Sequence, residues 1–437
     1  MVPSARLLWL VGLLAFPAAV IAALQPGAQL PAWLIIAGCF ALAVLDAVLG
    51  RVALDGVEPV AGEPVRFYKD RSDVLQTLLK NSSGKSKQVK VAFSFPESFQ
   101  PEQEEIETAL AADDGVYAVN WKLTPTRRGR YLLEQCYLET PSTLGLWQVR
   151  AVRSLVQEVR VYPNLRTPEG MWAMRKGLAG VHVQRQLGQG REFEKLRDYV
   201  AGDSYDEIHW KATARRSKPV SKVFQVERTQ EIYIVMDASR LAQRPIDGQP
   251  VFEHYITAGL LAGAAAERNG DLFGLAVFSD KMHGFVRARN GKAHYAACRD
   301  AIYQIHPRPV SPDFEEIATF LRLNLRRRAM LLFLTQLDDP VIAESFLRAT
   351  RMLSRQHLIL AGVLAPPSLK PLFQSEEDVS TIDDIYARLG NHTAWNGLAQ
   401  LQLELRRQGV RLVLLEPGKA VEQLVKLYGE VKQRQML

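Results

Sequence analysis

Two long apolar segments at the start of the chain restrict its fold more than any other feature. Residues 7–24 carry no charged side chain, and residues 32–50 carry only Asp46, close to their end. Each segment is close to the ~20 residues that a helix needs to cross a bilayer. The connector QPGAQLP is uncharged and rich in helix breakers, as is typical of a tight turn. Residues 1–51 are therefore predicted to form a transmembrane helical hairpin, with a buried hairpin in a globular protein as the competing interpretation.

Arginines flank this hairpin on one side. Arg6 precedes the first segment and Arg51 follows the second, so the positive-inside rule places both ends in the cytoplasm. Alternatively, the first segment is a signal peptide with Arg6 in its basic region, and the second segment stops transfer. The remainder of the chain faces the cytoplasm in both cases. Asp46 lies near the inner boundary, where we expect its carboxylate to reach water rather than to serve a proton relay.

Composition narrows the class of protein. A length of 437 residues with 47% hydrophobic residues allows two or three domains with a sizeable core. The net charge is +7, but basic and acidic residues are interspersed and no nucleic-acid motif is present. We therefore expect a membrane-proximal surface and no nucleic-acid partner. Cys39, Cys136 and Cys298 are far apart in the sequence, which indicates neither a disulfide framework nor a zinc cluster.

Residues 52–165 show the short alternating pattern of β-strands. QVKVAFSFP and GVYAVNWKLTP alternate apolar and polar side chains, and the turns SSGKSK and RRGR separate such segments. This pattern predicts a small antiparallel β-sandwich-like domain. Residues 166–229 are interpreted as a connecting segment.

Strands and helices alternate over residues 230–437. The predicted strands contain EIYIVM, DLFGLAVF, HGFVRAR, AMLLFL, HLILAGVL and VRLVLL. Because several are almost entirely apolar, they are expected to be buried on both faces, which predicts a doubly wound α/β domain. The short DKM turn predicts that the second and third strands form an antiparallel hairpin at the sheet edge.

Oxygen-bearing side chains follow two of these strands. EIYIVM leads to Asp237 and Ser239, and AMLLFL leads to Thr335, Asp338 and Asp339. Ligands of an open α/β sheet bind beyond the carboxyl ends of its strands. If the two strands are neighbours, these side chains converge.

The Asp-x-Ser strand resembles that of a von Willebrand factor A domain. The metal-ion-dependent adhesion site of that family uses Asp-x-Ser-x-Ser, a distant threonine and a distant aspartate. Here the third position is Leu241, the threonine falls near Ser311, and the aspartate is replaced by Gln336. The resemblance implies a degenerate site that suits Mg²⁺ or Mn²⁺, whereas Asp237 bracing its own loop is the alternative. The implied ligands are Asp237, Ser239, Ser311 and Asp338.

The stretch LRDYVAGDSYDEIHWKATARR, residues 196–216, carries a second resemblance. Its pattern is similar to the signature of the bacterial family called domain of unknown function fifty-eight. That resemblance implies an inner-membrane protein, often paired with a MoxR-type AAA+ ATPase, with envelope-related or complex-assembly functions. The matching residues are Arg197, Asp198, Tyr199, Gly202, Asp203, Trp210, Lys211 and Arg215.

This signature is open to a structural and a catalytic interpretation. Ser204 and Glu207 have capping-box spacing, which predicts a short helix anchored to the domain by Trp210. Asp198 or Asp203 is then expected to hold Lys211 or Arg215 in a partly buried network. The alternative is a metal-dependent hydrolase that uses Asp203 and His209 beside a cation at Asp237. GxSxG and HExxH motifs are absent from the sequence, so a non-enzymatic, membrane-anchored interaction protein is the preferred prediction.

Overall fold

A computed structural model describes residues 1–113, 115–166, 187–188, 192–200, 205, 208–225, 230–366, 368–369, 371 and 381–433 of the chain. Its contacts divide the chain into two compact units, Met1–Asn164 and Leu165–Leu437.

The first unit begins with the two predicted apolar helices. A continuous helix comprises α1 (Ala5–Leu10), a π-helical turn (Val11–Ala15) and α2 (Phe16–Leu24). After a 3₁₀ turn (Pro26–Ala28), α3 (Gln29–Gly50) follows. Both helices are long and apolar enough to cross a membrane, judged by length and composition. Their small buried side chains pack together, which allows a close helix pair: Ala18, Ala22 and Ala32.

Two sheets make up the rest of this unit. The six-stranded sheet has the order β1-β10-β9-β5-β7, with β3 pairing with β10, and the four-stranded sheet has the order β2-β4-β8-β6. Every pair is antiparallel except β3 with β10. The predicted antiparallel β-rich region is confirmed. The strands are β1 (Val2–Pro3), β2 (Val57–Val60), β3 (Val65–Tyr68), β4 (Asp73–Asn81), β5 (Lys87–Phe93), β6 (Phe99–Pro101), β7 (Glu105–Leu110), β8 (Gly115–Pro125), β9 (Gly129–Pro141) and β10 (Trp147–Tyr162).

The two sheets share one hydrophobic cluster. Leu75 and Trp121 come from the four-stranded sheet, and Val91 and Leu138 come from the six-stranded sheet. The alternation read from the sequence therefore has a physical cause, since every second side chain of these strands enters this core.

Asp46 lies in a different environment from the one predicted. Its side chain is fully buried instead of reaching water. The loop between β9 and β10 covers it, and the N–H groups of Leu144 and Leu146 donate to its carboxylate at 2.8 and 3.0 Å. Backbone donors from a hairpin that is distant in the sequence thus replace water around this carboxylate.

The second unit begins with a small antiparallel sheet. Its strands are β11 (Leu187–Gly188), β12 (Glu192–Asp198) and β13 (Val220–Gln225), in the order β11-β13-β12. A short helix, α4 (Trp210–Arg216), precedes β13.

A six-stranded mixed sheet forms the centre of the second unit. Its order is β18-β17-β14-β19-β20-β21; all neighbours are parallel except the hairpin of β17 and β18 at the edge. The predicted strands, helices and edge hairpin are confirmed. The elements are β14 (Glu231–Asp237), β15 (Pro245–Ile246), β16 (Gln249–Pro250), α5 (Val251–Arg268), β17 (Leu272–Phe278), β18 (Met282–Arg289), α6 (Lys292–Ile302), α7 (Phe314–Asn324), β19 (Ala329–Leu334), α8 (Pro340–Leu353), β20 (Leu358–Leu364), α9 (Ile382–Arg407), β21 (Arg411–Leu415) and α10 (Ala420–Gln433).

Helices cover both faces of this sheet. On β14, Ile234 and Met236 pack with α5, α6 and α10, whereas Tyr233 and Val235 pack with α7, α8 and α9. Gly259 allows α5 to approach closely, because a Cβ there would lie 2.2 Å from the Met236 methyl group. Burial on both faces explains why these strands are apolar throughout.

Candidate functional site

The carboxyl ends of β14 and β19 form the candidate site. The two strands are parallel neighbours, and β17 lies on the other side of β14. Since the chain moves from β14 first to one side and later to the other, strand order reverses between β14 and β19. Ligands of open α/β sheets bind at such a position. We call this region the carboxyl edge, with Asp237 at its centre.

Asp237 is fully buried and hydrogen-bonded at both carboxylate oxygens. Oδ1 accepts the backbone N–H of Ser239 at 2.8 Å, and Oδ2 accepts the hydroxyl of Thr335 at 2.6 Å. Burial raises the pKa of Asp237 above its ordinary value of 3.8, and the hydrogen bonds from Thr335 and Ser239 oppose this rise without cancelling it. The acid is therefore desolvated and held by its neighbours.

The buried Tyr255 of α5 connects the ends of two strands beside Asp237. Its hydroxyl donates to the carbonyl oxygen of Thr335 at 2.9 Å and accepts the backbone N–H of Leu364 at 3.4 Å. Burial, with a smaller contribution from Asp237, raises the pKa of Tyr255 well above its ordinary value, so the phenol stays protonated. Tyr255 thereby links the ends of β19 and β20. The sequence carries no signal for this role, because the tyrosine lies within an apolar helix.

The predicted hydroxyl ligands lie on two neighbouring loops, Ser239 on the loop that follows Asp237 and Ser311 on the loop before α7. Ser239 is fully buried, and its Oγ makes no hydrogen bond of ordinary geometry to any residue that the structure describes. Ser311 is exposed. Its loop is brought to the site by backbone bonds: Arg240 N–H donates to Val310 O at 2.8 Å, and Arg308 N–H donates to Ala238 O at 2.8 Å.

Asp338 and Asp339 are paired with arginines whose role no sequence pattern predicts. Asp338 Oδ2 accepts from Arg244 Nη1, and Asp339 Oδ2 accepts from Arg240 Nη2 at 3.0 Å. Asp339 also caps α8. Gln336, at the lost aspartate position, instead donates to the Leu364 carbonyl at 3.0 Å. All four charged side chains are partly exposed.

This donor set fits a divalent cation poorly. In the part of the chain that the structure describes, no group of three or more His, Cys, Asp or Glu side chains is placed to hold a metal ion. Asp237 uses both oxygens within the protein, and Asp338 would have to leave Arg244 to become a ligand. Leu241 is buried and supplies no oxygen ligand. Binding of Mg²⁺ or Mn²⁺ at Asp237, Ser239, Ser311 and Asp338 remains a prediction.

The family signature begins in β12 and ends in α4. Arg197 and Asp198 end β12, where they pair with Ser221 and Val220, and the N–H of Tyr199 donates to Pro219 O at 2.9 Å. Gly202 and Asp203 lie outside the described residues, as do Ser204 and Glu207 of the predicted capping box.

The helix of the signature begins later than predicted, and it packs differently. His209 caps α4, its Nδ1 accepting the N–H of Ala212 at 3.0 Å. Trp210 does not anchor the helix, since it is 67% exposed. The helix is held instead through Thr213, whose hydroxyl accepts the N–H of Val220 at 3.1 Å, and through buried Ile208 before it. The predicted burial of the charge network is wrong for its described members, since these are exposed: Asp198, Lys211 and Arg215.

The contacts of His209 bear on the hydrolytic alternative. Besides the cap, its backbone N–H donates to Val220 O at 2.8 Å. Among the described residues, no contact joins its ring to Asp237. The cap occupies Nδ1, so His209 has a structural role that its sequence context does not predict.

Comparisons with known proteins identify relatives of unknown function. Residues 195–371, which contain the whole signature and the whole carboxyl edge, match the family model described as "Protein of unknown function DUF58". The uncharacterised protein YeaD of Bacillus subtilis (strain 168) is 26% identical over 121 residues, which cover 27% of this chain and 30% of YeaD. The match thus spans less than a third of that relative.

Solved structures give weaker likenesses. The conserved hypothetical protein BatB from Bacteroides thetaiotaomicron is 11% identical, covers 46% of this chain and 99% of its own, and has a TM-score of 0.27. The ASH/PapD-like domain of human CEP192 is 14% identical, covers 25% of this chain and 87% of its own, and has a TM-score of 0.19. Similarities at these TM-scores carry no conclusion about this chain.

Proposed function

The chain belongs to the DUF58 family through residues 195–371, and on that premise we propose that it is a membrane-anchored, non-enzymatic interaction protein. The helical hairpin anchors it in the bacterial inner membrane, with the β-sandwich-like and α/β regions on the cytoplasmic side. The α/β region, of von Willebrand factor A type, presents its carboxyl edge to a protein partner. The family resemblance implies a MoxR-type AAA+ ATPase as that partner, in envelope-related or complex-assembly work.

The charge pairs at the carboxyl edge carry this proposal. Arg240 with Asp339 and Arg244 with Asp338 are only partly buried, and such pairs contribute little to folding stability. They can open at small cost and pair instead with charges of a partner, which favours specific recognition. Behind them, Asp237 is fully occupied by neighbouring donors. This arrangement offers a shaped, charged surface in place of a free nucleophile.

The arginines that flank the hairpin support the cytoplasmic orientation. Arg6 lies in the first turn of α1 and Arg51 directly follows α3, so both lie on the side of the membrane that carries the later regions. An AAA+ ATPase needs ATP, which that compartment supplies.

Crosslinking and copurification test this proposal. The full-length chain is solubilised from its native membranes after crosslinking in the presence of an ATP analogue, and captured proteins are identified. We expect an AAA+ ATPase with the wild type and a several-fold loss with the double variant Arg240→Ala, Arg244→Ala. Arg411→Ala is the matched control, because Arg411 forms a similarly exposed pair with Glu430 at the opposite end of the same sheet.

Two results would contradict it. Recovery of no AAA+ ATPase from the wild type would remove the partner, and equal recovery with the double variant would show that the carboxyl edge is not the docking surface.

A cation-dependent docking face is the second candidate. The buried Ser239 hydroxyl beside Asp237, which makes no hydrogen bond of ordinary geometry to a described residue, favours it. Calorimetric titration of the wild type and Asp237→Asn with Mg²⁺ and with Mn²⁺ decides: binding heat that is lost in the variant supports a cation, and two equally flat titrations remove it.

A further inference from the structure

The loop between β9 and β10 lies beside the last turns of α3. Asp46, which the loop covers, is four residues before the helix end at Gly50, or about 6 Å along the axis at 1.5 Å per residue. The indole N–H of Trp147 donates to Ala43 O at 2.8 Å, about 10 Å from the same end. The loop therefore runs back along α3 from its end at Gly50 to Ala43.

The length of α3 gives the depth of the loop in a bilayer that the helix spans. Its 22 residues span about 33 Å, close to the ~30 Å thickness of a hydrocarbon core. Headgroups add roughly 5–7 Å on each side. A helix centred on the core ends about 1–2 Å beyond the hydrocarbon, which places Asp46 about 4–5 Å and Ala43 about 9 Å inside it. The loop therefore lies at the depth of the outer hydrocarbon.

Non-helical backbone at that depth must satisfy its own polar groups, and this loop does so extensively. Ser142 and Trp147 exchange bonds across its base: Ser142 N–H donates to Trp147 O at 2.8 Å, and Trp147 N–H donates to Ser142 Oγ at 3.0 Å. Gly145 N–H donates to Ser142 O at 2.9 Å. Further bonds join the loop to α3 and to Ser4, the N-cap of α1. Asp46 accepts the Ser142 hydroxyl and the N–H groups of Leu144 and Leu146. Ser4 N–H donates to Leu146 O, and Ser4 Oγ donates to Gly145 O.

The exposed side chains of the loop are those of Thr143 and Leu144. The sequence STLGLW, residues 142–147, has no charged side chain. Leu144 at its tip is 47% exposed, at the level where α3 exposes Leu45 and Leu49. An uncharged segment that bonds most of its backbone donors and exposes a leucine at the level of exposed leucines of α3 suits a lipid environment better than water.

We infer that residues 142–147 form a lipid-contacting loop, which places Leu144 in the membrane leaflet where α3 ends. The inference rests on the membrane anchoring in the proposed function. Asp46 is the positioning residue, because its carboxylate holds the loop against α3. The β-rich region is then seated on the bilayer by this loop instead of being tethered only through the end of α3.

A fluorescent label at the loop tip tests the inference. Leu144→Cys is made in a full-length chain whose three cysteines are replaced by alanine, labelled with nitrobenzoxadiazole and reconstituted into phosphatidylethanolamine–phosphatidylglycerol vesicles. Lipids with a nitroxide near the carbonyl end of the acyl chain act as quenchers. The matched control is Arg127→Cys in the turn before β9, because the 13-residue β9 places it about 40 Å from the loop.

We expect blue-shifted emission that the nitroxide lipid at least halves at Leu144→Cys, and water-like, unquenched emission at Arg127→Cys. Adding Asp46→Ala should release the loop and reduce the quenching. Water-like emission at both positions overturns the inference, as does equal quenching at both.

Retention in the membrane after alkaline carbonate washing separates the two proposals. Loss of the wild type from the membrane removes the anchoring and the loop contact together. Retention with a water-like label at Leu144→Cys refutes the loop contact alone.

Discussion

Thr335→Val tests whether Asp237 depends on its neighbour. Valine has nearly the shape of threonine, so the substitution removes the donor at 2.6 Å from Asp237 and little else. Both residues are fully buried, so water does not replace the lost bond. A hydrogen bond to a charged group contributes about 1.5–3 kcal/mol. At roughly 2–4 °C per kcal/mol for a domain of this size, Tm should fall by roughly 3–12 °C.

Thermal unfolding of the full-length chain in detergent measures this effect. Thr335→Ser keeps the hydroxyl and is the matched control, with an expected Tm well above that of Thr335→Val. In an Asp237→Asn background, the Thr335 hydroxyl bonds to an uncharged amide, and such a bond is weaker than one to a carboxylate. Removing the hydroxyl should therefore cost less there. Equal Tm values for Thr335→Val and Thr335→Ser would refute the coupling.

The pH dependence provides a second check on Asp237. Its pKa is higher in the folded chain than its ordinary value of 3.8, so folding takes up a proton at this group. Its contribution to stability is complete below the ordinary value and is lost as pH rises through the folded pKa. The stability of the wild type relative to Asp237→Asn should therefore decline with rising pH above 3.8. A difference that stays constant with pH would show that Asp237 is not perturbed.

Three further substitutions have distinct expected outcomes. Lys432→Met should cost about 3 kcal/mol, seen as a lower midpoint in urea, because it leaves the buried Asp271 carboxylate without the cation at 2.8 Å. Gly145→Ala should cost about 1–3 kcal/mol and expose the loop to protease, since φ is +74° and the new Cβ would lie 2.8 Å from Arg6 Nη1. Trp210→Ala should change stability by less than about 0.5 kcal/mol in the same urea titration, because the side chain is 67% exposed.

The elements of the fold were largely predictable because their signals are local. An uncharged run long enough to span a bilayer predicts a helix, and β14, β19 and β20 are apolar throughout because both faces are covered. The hairpin of β17 and β18 follows from a short turn. In each case the evidence lies within a few consecutive residues, and burial on a known face explains it.

The candidate site was predictable only in position. Asp237 could be placed at the end of its strand, but its partner Thr335 is 98 residues away. The arginines that neutralise Asp338 and Asp339 are similarly distant. Trp210 was expected to anchor a helix because large aromatic side chains are usually buried. Instead, the Thr213 hydroxyl and the buried Ile208 side chain hold α4.

The sequence by itself determined the apolar hairpin, the change from alternating strands to an α/β pattern, and the family signature, since each depends on residue types and short spacings. Only the tertiary structure decided which polar groups are paired. Asp46 is the clearest case: its place near the end of an apolar helix predicted contact with water, but a loop almost a hundred residues later supplies its donors. Pairing depends on three-dimensional proximity, and the energetic penalty for leaving a buried charge unpaired makes such contacts decisive.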